Sequence, residues 1–151
     1  MALLSRRGMI FGGLGTLTLV SASAYGVSTM LATAAGQEMT PPEVLDAVTE
    51  DRVLLVDIRR PDEWRKTGIA KGAIPIDMRR DDFATAVLAA RASAAQPVAL
   101  ICARGVRSRR MTVLLDEAGI APIIDGPEGM LGSFAGPGWL KRDLPVVAWN
   151  A

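Results

Sequence analysis

The residues best equipped for chemistry are Cys102-Ala103-Arg104-Gly105-Val106-Arg107-Ser108, which hold the chain's single cysteine between two arginines and a glycine. Ahead of them, Pro97-Val98-Ala99-Leu100-Ile101 is a short apolar, partly β-branched run of the kind that forms a buried parallel strand. Behind them, Met111, Leu114, Leu115 and Ala118 recur at helical spacing. A strand, a tight loop and a helix in that order aim backbone N–H groups and a helix N-terminus at one sulfur, which favours the thiolate. Arg104 and Arg107 add positive charge beside it. Most lone cysteines at strand ends are simply small buried hydrophobes. The glycine-containing, arginine-flanked loop argues instead for a nucleophile.

The elements that must hold this loop can be read on either side of it. Thr40-Pro41-Pro42-Glu43 is a capping box with proline at the first helical position, so a helix is expected over 41–49. Val53 to Asp57 has the length and β-branching of a central strand, and Ala73 to Ile76 reads as another. Asp82 to Ala94 is rich in helix formers. Gly119 should end the helix after Cys102, and Pro122-Ile123-Ile124 should be a last short strand. Strands alternating with helices give an α/β fold, a single domain with a mostly parallel central sheet flanked by helices. Ligands of such sheets bind at the carboxyl ends of the strands, where Cys102 falls.

Cys102-Ala103-Arg104-Gly105-Val106-Arg107-Ser108 followed by an amphipathic helix resembles the active-site loop of the rhodanese sulfurtransferases. Leu54-Leu55-Val56-Asp57-Ile58-Arg59, continued by Pro61-Asp62-Glu63-Trp64, is similar to that family's strand ending in D-x-R and its sequel. Gly68 through Ile74 resembles the G-H-I-P-G-A-I segment, with Ile69 where the family has histidine and Lys71 where it has proline. Asp125-Gly126-Pro127-Glu128-Gly129-Met130 stands at the family's glycine-rich turn, and Leu144-Pro145-Val146 resembles its closing G-L-P-V. The stretch from Gly129 to Leu144 is longer than usual, so an extra loop is expected beside the site.

The resemblance implies a sulfurtransferase working through a Cys102 persulfide, without a cofactor. Its substrates would be a small anionic sulfur donor such as thiosulfate and a thiophilic acceptor, which could be a protein. In this picture the N–H groups from Ala103 to Ser108 stabilise the sulfur anion and Arg104 or Arg107 meets the donor, unless Arg107 holds the loop by bonding its carbonyls. Asp57 and Arg59 resemble the family's supporting buried ion pair, Ser108 is expected to cap the helix, and Trp64 and Trp139 are expected to pack. A non-enzymatic persulfide carrier for a partner protein is the alternative. A phosphatase or arsenate reductase would need C-x5-R, and Ser108 stands at that arginine's place, with Arg107 one position early.

Composition bounds the rest. A chain of 151 residues with a net charge of +1 carries no nucleic-acid-binding surface in its balance. One cysteine and no histidine exclude an internal disulfide, His-assisted catalysis and a Cys- or His-ligated metal, so no metal is expected. Ser5-Arg6-Arg7-Gly8-Met9-Ile10, followed by an uncharged stretch to Gln37, resembles a twin-arginine export signal, with A-x-A-type sites at Ala22-Ser23-Ala24 and Ala32-Thr33-Ala34. Residues 1–36 are therefore expected to be an export signal or a membrane anchor running over 8–36, and 37–151 an exported, periplasmic domain.

Overall fold

In the computed structural model, which describes residues 36–150, the apolar runs become the strands of a five-stranded sheet in the order β1-β6-β5-β2-β4. These strands are β1 (Gln37–Glu38), β2 (Leu54–Asp57), β4 (Ala73–Pro75), β5 (Val98–Ile101) and β6 (Ile123–Gly126), and every pairing is parallel. A separate antiparallel pair joins β3 (Ile69–Ala70) to β7 (Val146–Val147). Five helices connect them: α1 (Pro41–Thr49), α2 (Pro61–Thr67), α3 (Phe83–Ala90), α4 (Val106–Glu117) and α5 (Gly138–Lys141). The sequence tract read as signal or anchor lies outside the described residues up to position 35. Among those described, no helix is long and apolar enough to cross a membrane.

The central strands are apolar throughout because both faces of the sheet are covered, as parallel sheets require. Alternation sorts their side chains into two cores. Leu54, Val56 and Ile58 of the β2 segment and Val98, Leu100 and Cys102 of the β5 segment pack against Phe83, Val87 and Leu115 from α3 and α4. Leu55, Ala99 and Ile101 face the other way, onto Val44, Ala47, Met130 and Trp139. Burying each large aliphatic contributes about 1.5–3 kcal/mol, so β5, buried on both faces, is a firm base for whatever follows it.

Several boundaries differ from the sequence expectation. The α1 range coincides with it, and the Thr40–Glu43 capping box forms, Glu43 accepting from the Thr40 N–H at 2.8 Å. The next expected helix stops at Ala90 rather than Ala94, because Arg91 turns extended and its side chain donates to the Gln96 carbonyl at 3.0 Å. The final strand runs two residues further than expected, to Gly126, since it pairs along all of β5. Helix α2 was not among the elements read from the sequence; Pro61 stands in its first turn, and the Glu63 carboxylate accepts from the Arg60 N–H at 3.1 Å.

Candidate active site

Cys102 directly follows β5, and the strand's two-residue alternation points its side chain into the α3–α4 core, where it is 1% exposed. Its thiol donates to the Ser108 hydroxyl, Sγ to Oγ 3.7 Å, and that hydroxyl donates in turn to the Gly105 carbonyl at 3.0 Å. None of the backbone N–H groups from Ala103 to Ser108 donates to a backbone carbonyl among the described residues. The loop is thus a curl of free donors, the arrangement that binds anions.

Gly105 makes the curl possible. Its φ is 79°, and a Cβ there would fall on the Pro127 carbonyl oxygen. Helix α4 starts at the next residue with Gly105 as its cap, so Ser108 lies inside the first turn and does not cap the helix as expected. Its hydroxyl bonds backward within the loop instead. Behind the loop, Met130 N–H donates to the Cys102 carbonyl and Leu131 N–H to the Ala103 carbonyl, both at 2.8 Å. Gly129 lets these chains touch, since a Cβ there would lie 2.6 Å from the Ala103 oxygen. The Asp125–Met130 segment therefore acts as a backboard that sets the loop's shape.

The expected site charges divide into three roles. Asp57 and Arg59 form a fully buried pair, Arg59 Nη2 donating to Asp57 Oδ2 at 2.7 Å, and Arg59 also reaches the Thr67 hydroxyl and the Gly68 carbonyl. That ties the end of β2 to the end of α2. Arg107 is held by Glu63 in a two-point bridge of 2.6 and 2.8 Å rather than by loop carbonyls, because α2 brings Glu63 to its guanidinium. The Arg107 bridge holds Glu63 down at about 2 against the cost of its partial burial, and Arg107 is raised in return while its charge also reaches the Cys102 sulfur. Arg104 is exposed and lines a cavity of about 520 Å³ beside the loop.

Two residues gain a part that sequence gave little reason to expect. Glu63 lies 44 positions from Arg107 and meets it only through the fold. Asp125, near the end of β6, is 3% exposed, and neither carboxylate oxygen has a hydrogen-bond partner. Burial pushes Asp125 up, opposed by the nearby Ser108 hydroxyl and by Arg109, whose Nε stands 3.8 Å away, while Glu38 adds to the rise. Trp64 and Trp139 are buried, as expected of packing residues. Among the described residues no cluster of His, Cys, Asp or Glu could hold a metal ion.

Residues 40–130 match the rhodanese-like domain family, from the capping box of α1 to the backboard behind the loop. The chain belongs to that family. Among solved structures, the rhodanese-like fold is shared with Rv0390 from M. tuberculosis, at 28% identity and a TM-score of 0.56 over 76% of this chain and 98% of that one. It is also shared with the homodimeric polysulfide-sulfur transferase of Wolinella succinogenes, at 21% identity and a TM-score of 0.59 over 83% and 88%. A third likeness, at 18% identity and 0.56 over 90% and 100%, is to a Rhodopseudomonas palustris protein of unknown function described as a possible tyrosine phosphatase. No curated protein matches the chain. The fold is α/β, as in its rhodanese-like relatives, with a wholly parallel five-stranded sheet beside the small antiparallel β3–β7 pair, and the cysteine loop of this rhodanese-like domain sits at the carboxyl end of the central strand β5.

Proposed function

We propose that this rhodanese-like domain is a sulfurtransferase that carries sulfane sulfur on Cys102. The Cys102 thiolate attacks the outer sulfur of a donor such as thiosulfate, forming Cys102–S–S⁻ and releasing sulfite. An acceptor such as cyanide then attacks the outer sulfur, leaving as thiocyanate and restoring the thiolate. The observation that carries this reading is the set of loop N–H groups, Ala103 to Ser108, left without backbone acceptors around a cysteine placed by β5. The polysulfide-sulfur transferase that shares the fold lends it weight.

A phosphatase reading fits less well. Ser108 occupies the place of the required arginine, and Arg107 is engaged with Glu63. The loop donors suit a sulfur anion on a short loop better than a tetrahedral phosphate. The domain is further proposed to work outside the cytoplasm, a reading supported by Ser5-Arg6-Arg7-Gly8 and the uncharged stretch after it. Relocation of the protein to the cytoplasm on replacing both Arg6 and Arg7 by lysine is the expected result of cell fractionation.

The deciding experiment is intact mass spectrometry after thiosulfate and then after cyanide, with Cys102→Ser alongside. A gain of one sulfur that cyanide removes, absent from the variant, is the expected outcome. A sulfur that cyanide leaves in place would indicate a carrier for a partner protein, and no gain would overturn the persulfide reading.

A further inference from the structure

Among the described residues, Asp57, Glu63, Asp125 and Glu128 are carboxylates built into the elements that hold the cysteine loop. Three of them meet a guanidinium closely: Asp57 has Arg59 at 2.7 Å, Glu63 has Arg107 at 2.6 Å and Glu128 has Arg142 at 2.8 Å. Asp125 is the exception, 3% exposed with neither oxygen hydrogen-bonded. Arg109 Nε stands 3.8 Å from it, and that exposed guanidinium gives its hydrogen bond to Glu38 at 3.0 Å instead. A buried carboxylate without a partner costs stability, so its presence beside a reactive loop asks for a use.

Its placement supplies one. Asp125 pairs with Leu100 in the β5–β6 register, and the strand period of two puts Leu100 and Cys102 on the face of the sheet that α4 covers. Ile123, two residues before Asp125, lies on that face as well. The first turn of α4 then sets the Ser108 hydroxyl between the two side chains. Cys102 Sγ donates to Ser108 Oγ at 3.7 Å, and the same hydroxyl lies beside the Asp125 carboxylate. A hydroxyl proton turns about the C–O bond, so Ser108 can leave the Gly105 carbonyl and donate to Asp125 while it receives the thiol proton.

The groups facing Asp125 are Ser108 and Arg109 from α4, Glu38 from β1 and, through Ser108, Cys102 from the end of β5. Burial and Glu38 together outweigh Ser108 and Arg109, so this carboxylate holds a proton more strongly than an exposed one. Glu63, across the loop, is unsuited to the same task because Arg107 holds it down at about 2. The chain has no histidine to serve instead.

We propose that Asp125 is the acceptor of the Cys102 proton, a positioning residue that acts through Ser108 to ready the sulfur for attack. The inference rests on the persulfide reading above. As Cys102 Sγ attacks the outer sulfur of thiosulfate, its proton passes to Ser108 Oγ and the Ser108 proton passes to Asp125. The new S–S bond forms, the bond to sulfite breaks with its electron pair on the leaving sulfite, and the site holds Cys102–S–S⁻ beside a neutral Asp125. One negative charge is present in the protein before and after, moved from the carboxylate to the sulfur within the curl of loop N–H groups. When an acceptor removes the outer sulfur, Asp125 returns the proton by the same path.

The test follows alkylation of Cys102 by iodoacetamide against pH in the full chain, in Asp125→Asn and in Ser108→Ala, and then records infrared difference spectra on loading with thiosulfate. The native rate is expected to rise as Asp125 loses its proton and to be nearly level through neutral pH. Asp125→Asn should react about tenfold more slowly at neutral pH, because an unassisted cysteine is only a few per cent thiolate there. Its rate should then climb with pH and meet the native rate in alkali, which also shows the loop to be intact. Ser108→Ala should give the same climbing profile. On loading, the native chain should gain the C=O stretch of a protonated buried carboxyl, and Asp125→Asn should not. A profile for Asp125→Asn that superimposes on the native one, or a loaded native chain without that band, would overturn the inference. Failure of thiosulfate to add sulfur while the alkylation profiles still differ would instead strike the persulfide reading and leave the proton path standing.

Discussion

The cysteine loop stands between two walls that treat their carboxylates in opposite ways. On the α2 side, Glu63 has a full two-point partner in Arg107 and is held at about 2. On the β6 side, Asp125 is more deeply buried, has no hydrogen bond to either oxygen, and is pushed up. Burial is the force common to both, and the difference is whether a cation completes the geometry. The first wall fixes a charge beside the sulfur. The second holds a carboxylate that burial makes a stronger proton acceptor than usual.

The severest way to break this contrast is to make the paired wall resemble the orphaned one. Arg59→Leu would leave Asp57 buried and uncompensated, at an expected cost of about 3–5 kcal/mol read from the urea midpoint. The charged pair in place of a neutral one is what that measurement tests, so Asp57→Asn combined with Arg59→Leu should recover part of the loss. A variant as stable as the native chain would show the pair to be dispensable.

Acid titration probes Glu63 itself. Its folded value lies below the ordinary 4.5, so the stabilisation it gives is complete above about 4.5 and is lost as pH falls toward about 2. Glu63→Gln should flatten the acid limb of the stability curve over that window and cost about 1–2 kcal/mol at neutral pH, allowing for the partly solvated partner. An acid limb identical to the native one would remove Glu63 from the account.

For Asp125 the sign reverses. A raised carboxylate binds its proton more tightly in the folded chain than in the unfolded one, so native stability gains as pH falls through the range where Asp125 takes up its proton. Asp125→Asn removes a buried carboxylate that has no hydrogen-bond partner and only a loose cation neighbour, Arg109 Nε at 3.8 Å, and should stabilise the protein at neutral pH by about 1 kcal/mol, a gain that shrinks in acid. Destabilisation at neutral pH would mean that Arg109 or Ser108 completes the group after all. The smallest effect is expected at Arg107→Ala, which should slow alkylation of Cys102 by iodoacetamide at neutral pH about two- to fivefold, with an unchanged rate counting against any influence of Arg107 on the thiol.

The sequence carried the loop, its strand and its helix because those elements are local: a β-branched run, a glycine and a helical period lie in one stretch around Cys102. The Asp57–Arg59 pair was equally legible, two residues apart on one strand end. What escaped depends on distance or on very short pieces. The Glu63–Arg107 bridge spans separate elements, β3 and β7 have two residues each, and α5 has four. Asp125 looked like part of a turn, and only the stacking of β6 beside β5 shows it buried behind Ser108. Ser108 was misplaced because a left-handed Gly105 starts the helix sooner than a side-chain cap would.

The burial of Cys102 has a consequence for damage as well as for chemistry. The chain holds no second thiol, so a sulfenic acid formed at Cys102 could not be resolved by an internal disulfide, and its repair would need an external reductant. With Cys102 1% exposed and its carbonyl pinned by Met130, the loop gives a bulky oxidant almost no approach except along the route a substrate takes. Resistance to inactivation by hydrogen peroxide should therefore follow occupancy of that route.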